Sequence, residues 1–335
     1  MDHRPLYTVT QFWTHYGTKK SDITVMCNGT CFHVTLSSEN FQDASNIKDQ
    51  YLQYLDALEA DDLDVTEEDL YYWALDPLLP VFQRIDSNPT NKQTFTLREY
   101  FNPVTLKYKL HAADGILAAS LDDENNTNPR HQGVNLVPSD HSFPWPSFRP
   151  SEILICNKAP KDALTQFPRK VLANKETICY FKAFQPGCQR EALHELNANL
   201  RIDQLKEEDD LRVPRILGLV QGEDGASYMG LLLSYIECDG RTLESDVRAD
   251  TPKHLRQRWA GQVKSTLKHL HEAGIVWGDA KAANVLVDGN MDAWIIDFGG
   301  GFTEGWVERE KAGTVEGDVQ GLVKIVDYIF SRASL

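Results

Sequence analysis

Apolar residues in the front half of the chain follow short alternating runs and longer helical periods. Two β-branched and aromatic runs flank Asn28-Gly29, a strong two-residue turn signal, so residues 22–36 are predicted to form a hairpin. The other elements predicted before residue 150 are helices over 43–58 and 67–82, a second hairpin with strands 97–109 and 116–121, and a linker or long loop over 122–150.

The second half alternates strand-like and helix-like patterns in a different order. The predicted strands are 153–156, 170–173, 177–184, 216–220 and 229–236, and the predicted helices are 190–202, 251–273 and a last one that includes Asp318 and ends near residue 330. The helix over 251–273 carries several Lys and Arg residues. A solvated helix face explains this charge most simply, and a local anion or RNA contact is the alternative.

A short hairpin near residue 290 brings polar side chains together. Residues 285–287 and 293–296 are apolar and β-branched, with turn residues between them. Asn284 precedes the first strand and Asp297 follows the second, so an amide oxygen and a carboxylate are expected side by side. Oxygen ligands of this kind suit Mg²⁺, which is usually also bound by substrate phosphates.

Asp279 and Lys281 lie in the loop just before this hairpin. A carboxylate can orient or deprotonate an attacking group, and an ammonium can neutralise charge on a phosphoryl group during transfer. The run from Asp279 to Asp297-Phe-Gly299 resembles the catalytic loop and metal motif of the protein-kinase-like superfamily, with the Lys two and the Asn five residues after the Asp. This resemblance implies that Asp279 and Lys281 are catalytic and that Asn284 and Asp297 bind metal.

The resemblance covers about residues 151–335 and implies ATP and Mg²⁺ as cofactors. Lys182 matches the strand lysine that holds nucleotide phosphates, and Glu191 or Glu195 would be its helical partner, with Glu191 favoured. The implied fold class is α+β, a bilobal protein-kinase-like fold with a truncated large lobe plus an α/β N-terminal extension. The implied domains are an acidic extension of unknown role over 1–150, a small lobe over 151–237 and a minimal large lobe over 238–335.

Three departures from the usual family pattern are visible. Residues 153–173 contain no glycine, so no glycine-rich phosphate loop is present there. Trp277-Gly278 stands where His-Arg usually precedes the catalytic aspartate. Asp318 resembles the buried helical aspartate that braces the catalytic loop, yet it follows Asp297 closely. These features are similar to compact atypical kinases and to kinase-like proteins of filamentous fungi.

Charge and cysteine content narrow the choice of partners. The chain has 335 residues and a formal net charge of −15, and residues 1–150 hold 11 Lys and Arg against 21 Asp and Glu, a net charge of −10. General affinity for nucleic acid or anionic lipid is therefore not expected. Six cysteines without a CxxC pair, no apolar leader and no long apolar run indicate a cytoplasmic protein with no membrane association. The oligomeric state is open.

The sequence leaves three functions open. The first is an ATP- and Mg²⁺-dependent phosphotransferase acting on a protein or a small molecule. The second is a kinase fold repurposed for aminoacyl transfer in specialised metabolism, such as a tRNA-dependent arginine-containing cyclodipeptide synthase, which would bind tRNA through the basic helix. The third is a pseudokinase scaffold that keeps the fold without the chemistry.

Overall fold

The computed structural model describes residues 6–42, 44–60, 64–86, 92–122, 133–136, 143–157, 160–205 and 211–331. Its strands are β1 Thr8–His15, β2 Lys20–Cys27, β3 Thr30–Ser37, β4 Val104–Ala113, β5 Ile116–Leu121, β6 Ser147–Phe148, β7 Leu154–Ile155, β8 Lys170–Ala173, β9 Thr177–Ala183, β10 Ile216–Gln221, β11 Tyr228–Ser234, β12 Val285–Val287 and β13 Ala293–Ile295. Its α-helices are α1 Ser45–Glu59, α2 Glu67–Leu75, α3 Leu79–Asp86, α4 Leu97–Phe101, α5 Gln189–Gln204, α6 Leu243–Asp246, α7 Lys253–Glu272 and α8 Val315–Ser331.

The chain divides into two compact units that alternate along the sequence. The first unit comprises Met1–Arg130 and Pro150–Glu176, and the second comprises His131–Arg149 and Thr177–Leu335. Each unit has its own hydrophobic core. The mixture of helices and sheets confirms the predicted α+β class, whereas the domain boundary at residue 150 stays a prediction.

The first unit is built on a five-stranded sheet in the order β1-β2-β3-β4-β5. Its central strands are the predicted hairpin β2–β3, in which Cys27 pairs with Thr30 across the Asn28-Gly29 turn. Strands β3 and β4 are parallel, because the helices between them carry the chain back across one face of the sheet. The buried side chains of this face form the core, which includes Ile23, Val25, Phe32, Tyr51, Leu55, Leu75, Phe82 and Leu110.

Two predicted elements of the first unit have different bounds in the structure. The helix predicted over 67–82 is broken into α2 and α3 by a 3₁₀ turn at Asp76–Leu78, because Pro77 has no N–H to continue the α-helical ladder. The strand predicted from residue 97 begins at Val104 instead. Residues 97–101 form α4, whose start is fixed by a capping box between Thr96 and Glu99.

The second unit combines a sheet with a mainly helical part. Strand β10 pairs with β11, and β11 pairs with β9, both antiparallel, while β6 pairs parallel with β10. The region predicted as a linker over 122–150 therefore contains a strand, and its residues 123–132 and 137–142 lie outside the described part. Helices α7 and α8 pack together with the hairpin β12–β13 around a core that includes Trp259, Val263, Leu267, Trp277, Val285, Ile295, Ile325 and Ile329.

Helix α8 approaches the loop before β12 closely at Gly321. A Cβ at this glycine would lie 2.5 Å from the Ala280 carbonyl oxygen and 2.6 Å from the Ala280 Cβ. We expect Gly321→Ala to lower the free energy of unfolding by about 1–3 kcal/mol, as overpacking usually does. Gly261→Ala in α7 is the matched control, because nothing lies within 4 Å of its Cβ position, and it is expected to stabilise the protein by about 0.5–1 kcal/mol. Urea denaturation of both variants measures the difference, and equal effects would contradict the close approach.

Candidate functional site

The hairpin β12–β13 brings its two open ends together. Val285 pairs with Ile295, and the Ile296 N–H donates to the Asn284 carbonyl oxygen at 3.0 Å. Asn284 and Asp297 therefore leave the hairpin from adjacent backbone positions, as the strand pattern predicted. Asp297 adopts a left-handed backbone with φ of 68°, which is uncommon for a residue other than glycine and turns the chain sharply after β13.

Asp279 is the centre of a hydrogen-bonded group in the loop before β12. Its carboxylate lies 2.6 Å from the Lys281 ammonium, and the Asn284 amide nitrogen donates to it at 3.0 Å. Thr303 donates its hydroxyl to the same carboxylate at 3.0 Å and accepts a hydrogen bond from Lys281 at 2.8 Å. The three side chains fix the carboxylate of Asp279, which is almost fully buried.

Lys182 on β9 lies between the carboxylates of Glu195 and Asp297. Its ammonium donates to Glu195 at 2.6 Å and to Asp297 at 2.8 Å. The preference for Glu191 is wrong, because Glu191 is exposed on α5 whereas Glu195 is only 4% exposed. The buried residues of α5 include Ala192, Glu195, Leu196 and Asn199, a helical stripe that excludes position 191.

The surroundings favour the charged forms of Lys182 and Asp297, whereas burial raises the pKa of Glu195 above its ordinary value despite the Lys182 ammonium. Burial alone would lower the pKa of Lys182, but the carboxylates of Glu195 and Asp297 raise it above its ordinary value. Burial likewise opposes ionisation of Asp297, but the Lys182 ammonium and the Gly299 N–H hold the pKa of Asp297 below its ordinary value. Asp297 is therefore a carboxylate with one oxygen engaged by Lys182, and its side chain is 40% exposed.

Exchanging each glutamate of α5 for glutamine tests the pairing of Lys182. We expect Glu195→Gln to lower the free energy of unfolding by about 1–3 kcal/mol, because the Lys182 ammonium then donates to a neutral amide oxygen instead of a carboxylate in a buried site. Glu191→Gln changes an exposed side chain of the same helix and is expected to stay within about 0.5 kcal/mol of the wild type. Thermal or chemical denaturation measures both, and a larger loss in Glu191→Gln would contradict the observed pairing.

Asp318 on α8 braces the loop that carries Asp279. Its carboxylate accepts hydrogen bonds from the backbone N–H groups of Trp277 at 2.7 Å and Gly278 at 2.8 Å. The same carboxylate lies 2.9 Å from His271 Nε2 at the end of α7. The structure thus gives Asp318 the bracing position that the sequence indicated.

Sequence reasoning missed Thr303 and noted Trp277 only as a departure from the family pattern, without a contact in the site. Thr303 contacts both Asp279 and Lys281, but it lies beyond a run of three glycines, where no short-range pattern fixes its position. Trp277 is fully buried, and its indole N–H donates to the Ile296 carbonyl oxygen at 2.8 Å, immediately before Asp297. A buried tryptophan usually donates its indole N–H to an acceptor, so a tryptophan just before Asp279 indicates an acceptor close to this loop.

The oxygen donors of the site fit a magnesium ion. The Asn284 amide nitrogen is the group that bonds to Asp279, which leaves its amide oxygen to act as a ligand. Asp297 offers its second carboxylate oxygen. Among the described residues, no group of three or more His, Cys, Asp and Glu side chains lies together as a metal site. Two protein oxygens are a normal protein contribution for Mg²⁺, which completes its shell with water and substrate phosphates.

The comparisons with known proteins point to one family. A protein kinase domain model matches residues 193–318. The chain is similar to serine/threonine-protein kinase ppk21 of Schizosaccharomyces pombe (29% identical over 42% of this chain and 23% of the relative) and to the mitogen-activated protein kinase kinase kinase MST11 of Pyricularia oryzae (28% over 41% and 15%). It is also similar to "Probable serine/threonine-protein kinase FPV226" of fowlpox virus (31% over 27% and 31%).

The chain spans less than a quarter of the length of the first two relatives. Each of the three bears the name of a kinase, so these relatives give no support to aminoacyl transfer. The likeness to filamentous-fungal kinase-like proteins in particular stays a prediction. No helix in the described part of the chain is long and apolar enough to span a membrane.

Proposed function

We propose that this chain, which belongs to the protein-kinase-like superfamily, transfers the terminal phosphoryl group of ATP to a hydroxyl-bearing acceptor in a reaction that requires Mg²⁺. One observation carries the proposal. Lys182 bridges Glu195 and Asp297, while Asp279 is held by Lys281 and Asn284, so the side chains that we assign to the nucleotide and to the acceptor lie in one unit.

Each side chain has a role that its contacts support. Lys182 would bind the α- and β-phosphates, with Glu195 orienting its ammonium. Asn284 and Asp297 would hold Mg²⁺, which neutralises the charge of the phosphates when it is bound. Asp279 would orient the acceptor hydroxyl and accept its proton, and Lys281 would neutralise charge on the phosphoryl group as it moves.

The acceptor is either a protein or a small molecule. The names of the relatives favour a serine or threonine side chain, since two of the three are called serine/threonine-protein kinases. The short stretch between Asp297 and α8 favours a small molecule, because it leaves little chain to build a platform for a peptide. Thr303 lies beside Asp279 and would border the acceptor in either case.

Phosphorus NMR of the protein with ATP and Mg²⁺ tests this function even while the acceptor is unidentified. We expect slow formation of ADP, with inorganic phosphate from transfer to water or a phosphoester from transfer to an added acceptor. Formation of neither ADP nor a phosphoester, despite tight ATP binding, would instead support the pseudokinase scaffold. Formation of neither without ATP binding would contradict the proposal altogether.

A further inference from the structure

The outer edge of β5 is an unpaired strand edge in the first unit, outside the proposed catalytic site. Strand β5 ends the order β1-β2-β3-β4-β5, and within the described residues no strand lies beyond it. Its sequence, Ile-Leu-Ala-Ala-Ser-Leu over 116–121, has no charge and no proline. A strand of this kind is a template for the addition of another strand.

The hydrogen-bond phase of β4 and β5 shows which backbone groups face outward. Tyr108 lies opposite Leu121, so the next pair along the two strands is Lys107 and Asp122. This next pair is hydrogen-bonded, because the Asp122 N–H donates to the Lys107 carbonyl oxygen at 2.9 Å. Because hydrogen-bonded pairs alternate along an antiparallel ladder, positions 116, 118 and 120 face β4 and positions 117, 119 and 121 face outward. No hydrogen bond from a described residue reaches the outward groups.

The opposite edge of the sheet differs in a way that protects it. Strand β1 has a bulge between Val9 and Gln11, which interrupts a regular row of donors and acceptors. Strand β5 pairs with β4 without any shift of register. It also exposes large apolar side chains at its two ends, Ile116 at 70% and Leu121 at 55%, which lie on opposite faces of the sheet because side chains alternate along a strand.

Charge decides which strand fits this edge. Asp114 is exposed just before β5, and Asp122 follows it, with Asp123 and Glu124 next in the sequence. An antiparallel second copy would place Asp114 near Asp122 of the other chain at both ends, and like charges directly opposite are destabilising. The net charge of −10 over residues 1–150 also disfavours a second copy. Two cations of β4 lie one strand inward, Lys107 opposite Asp122 and Lys109 opposite Ser120.

We infer that the edge of β5 binds an extended segment of another protein, with an uncharged apolar centre and Lys or Arg at both ends. The segment adds a strand to the sheet through the outward backbone groups of Leu117, Ala119 and Leu121. Its alternate side chains contact Ile116 on one face and Leu121 on the other. Main-chain hydrogen bonds supply the affinity in such complexes, and flanking charges supply the choice of partner.

Three synthetic peptides of alternating Val and Thr test the inference on the full chain. The first has two Lys at each end, the second has two Glu instead, and the third keeps the Lys but carries N-methyl groups on alternate backbone nitrogens. We expect the Lys-flanked peptide to bind at least tenfold more tightly than the other two. In hydrogen exchange it should slow the amides of Leu117, Ala119 and Leu121 at least tenfold.

Substitutions on the strand locate the binding site. Ala119→Pro removes one outward N–H without removing a bond to β4, and Ser120→Lys places a like charge beside the basic peptide ends, so each should weaken binding at least tenfold. Ser120→Lys keeps the test valid if the proline variant does not fold. Gln11→Lys on β1 is the control and should leave the affinity unchanged. Equal binding of the three peptides, protection at other amides, or a wild-type dimer that Ala119→Pro dissociates would each overturn the inference.

Discussion

Asp279→Asn is expected to slow phosphoryl transfer by about 10²–10⁴-fold, the range typical of a lost general base. The amide of asparagine keeps the size of the side chain but cannot accept a proton at neutral pH. The substitution also removes the charge that now holds the Lys281 ammonium at 2.6 Å. ATP affinity should change little, because Lys182 and Asp297 contact each other and not Asp279. Single-turnover measurements with radiolabelled ATP separate the rate of transfer from binding.

Asp250→Asn is the control for this experiment, because Asp250 is exposed and its substitution removes the same charge from the protein. It should transfer phosphate at the wild-type rate. If the protein is a pseudokinase scaffold, Asp279→Asn and Asp250→Asn should bind its partner equally well. Equal transfer rates in Asp279→Asn and wild type would show that the base lies elsewhere.

The second large effect is expected in stability, from Asp318→Ala. The carboxylate of Asp318 is 2% exposed and accepts hydrogen bonds from two backbone N–H groups and contacts His271. Its removal leaves the buried N–H groups of Trp277 and Gly278 without an acceptor. Hydrogen bonds to charged groups contribute about 1.5–3 kcal/mol each, so we expect a loss of roughly 3 kcal/mol or more. Denaturant titration of the two proteins measures it.

Asp327→Asn changes an exposed aspartate of the same helix and should stay within about 0.5 kcal/mol of wild type. Because Asp318 holds the loop that carries Asp279, the alanine variant should also lose transfer activity under conditions where it remains folded. A stable Asp318→Ala protein with full activity would show that the loop keeps its conformation without the brace.

The local parts of the fold could be predicted from the sequence because they depend on neighbouring residues. The Asn28-Gly29 turn and the hairpin β12–β13 follow from short-range turn chemistry, and both are present. The prediction of a single helix over 67–82 was wrong at Pro77. The apolar periodicity continues through this residue, but a proline interrupts the helical hydrogen bonds. The strand expected from residue 97 failed because the Thr96 and Glu99 capping box was not recognised.

The parts of the site that depend on tertiary contacts could be predicted only partly. Glu191 and Glu195 lie one helical turn apart, and only the rotation of α5 against the sheet decides which one meets Lys182. The apolar positions Ala192 and Leu196 mark the buried face of α5, and Glu195 lies on that face whereas Glu191 does not. Thr303 gave no such signal, since a run of three glycines lies between it and Asp297 and its partners lie more than 20 positions earlier in the chain.

Calorimetric titration of ATP, with and without Mg²⁺, tests the central claim most directly. It should be performed on wild type, on Asp297→Ala and on Asp297→Asn, because asparagine tolerates the left-handed backbone of this position better than alanine. We expect wild type to bind ATP at least tenfold more tightly with Mg²⁺, and both variants, still folded, to lose this dependence. Metal-independent binding in wild type, or unchanged metal-dependent binding in both variants, would contradict the assignment of Asp297 and with it the proposed phosphotransfer site.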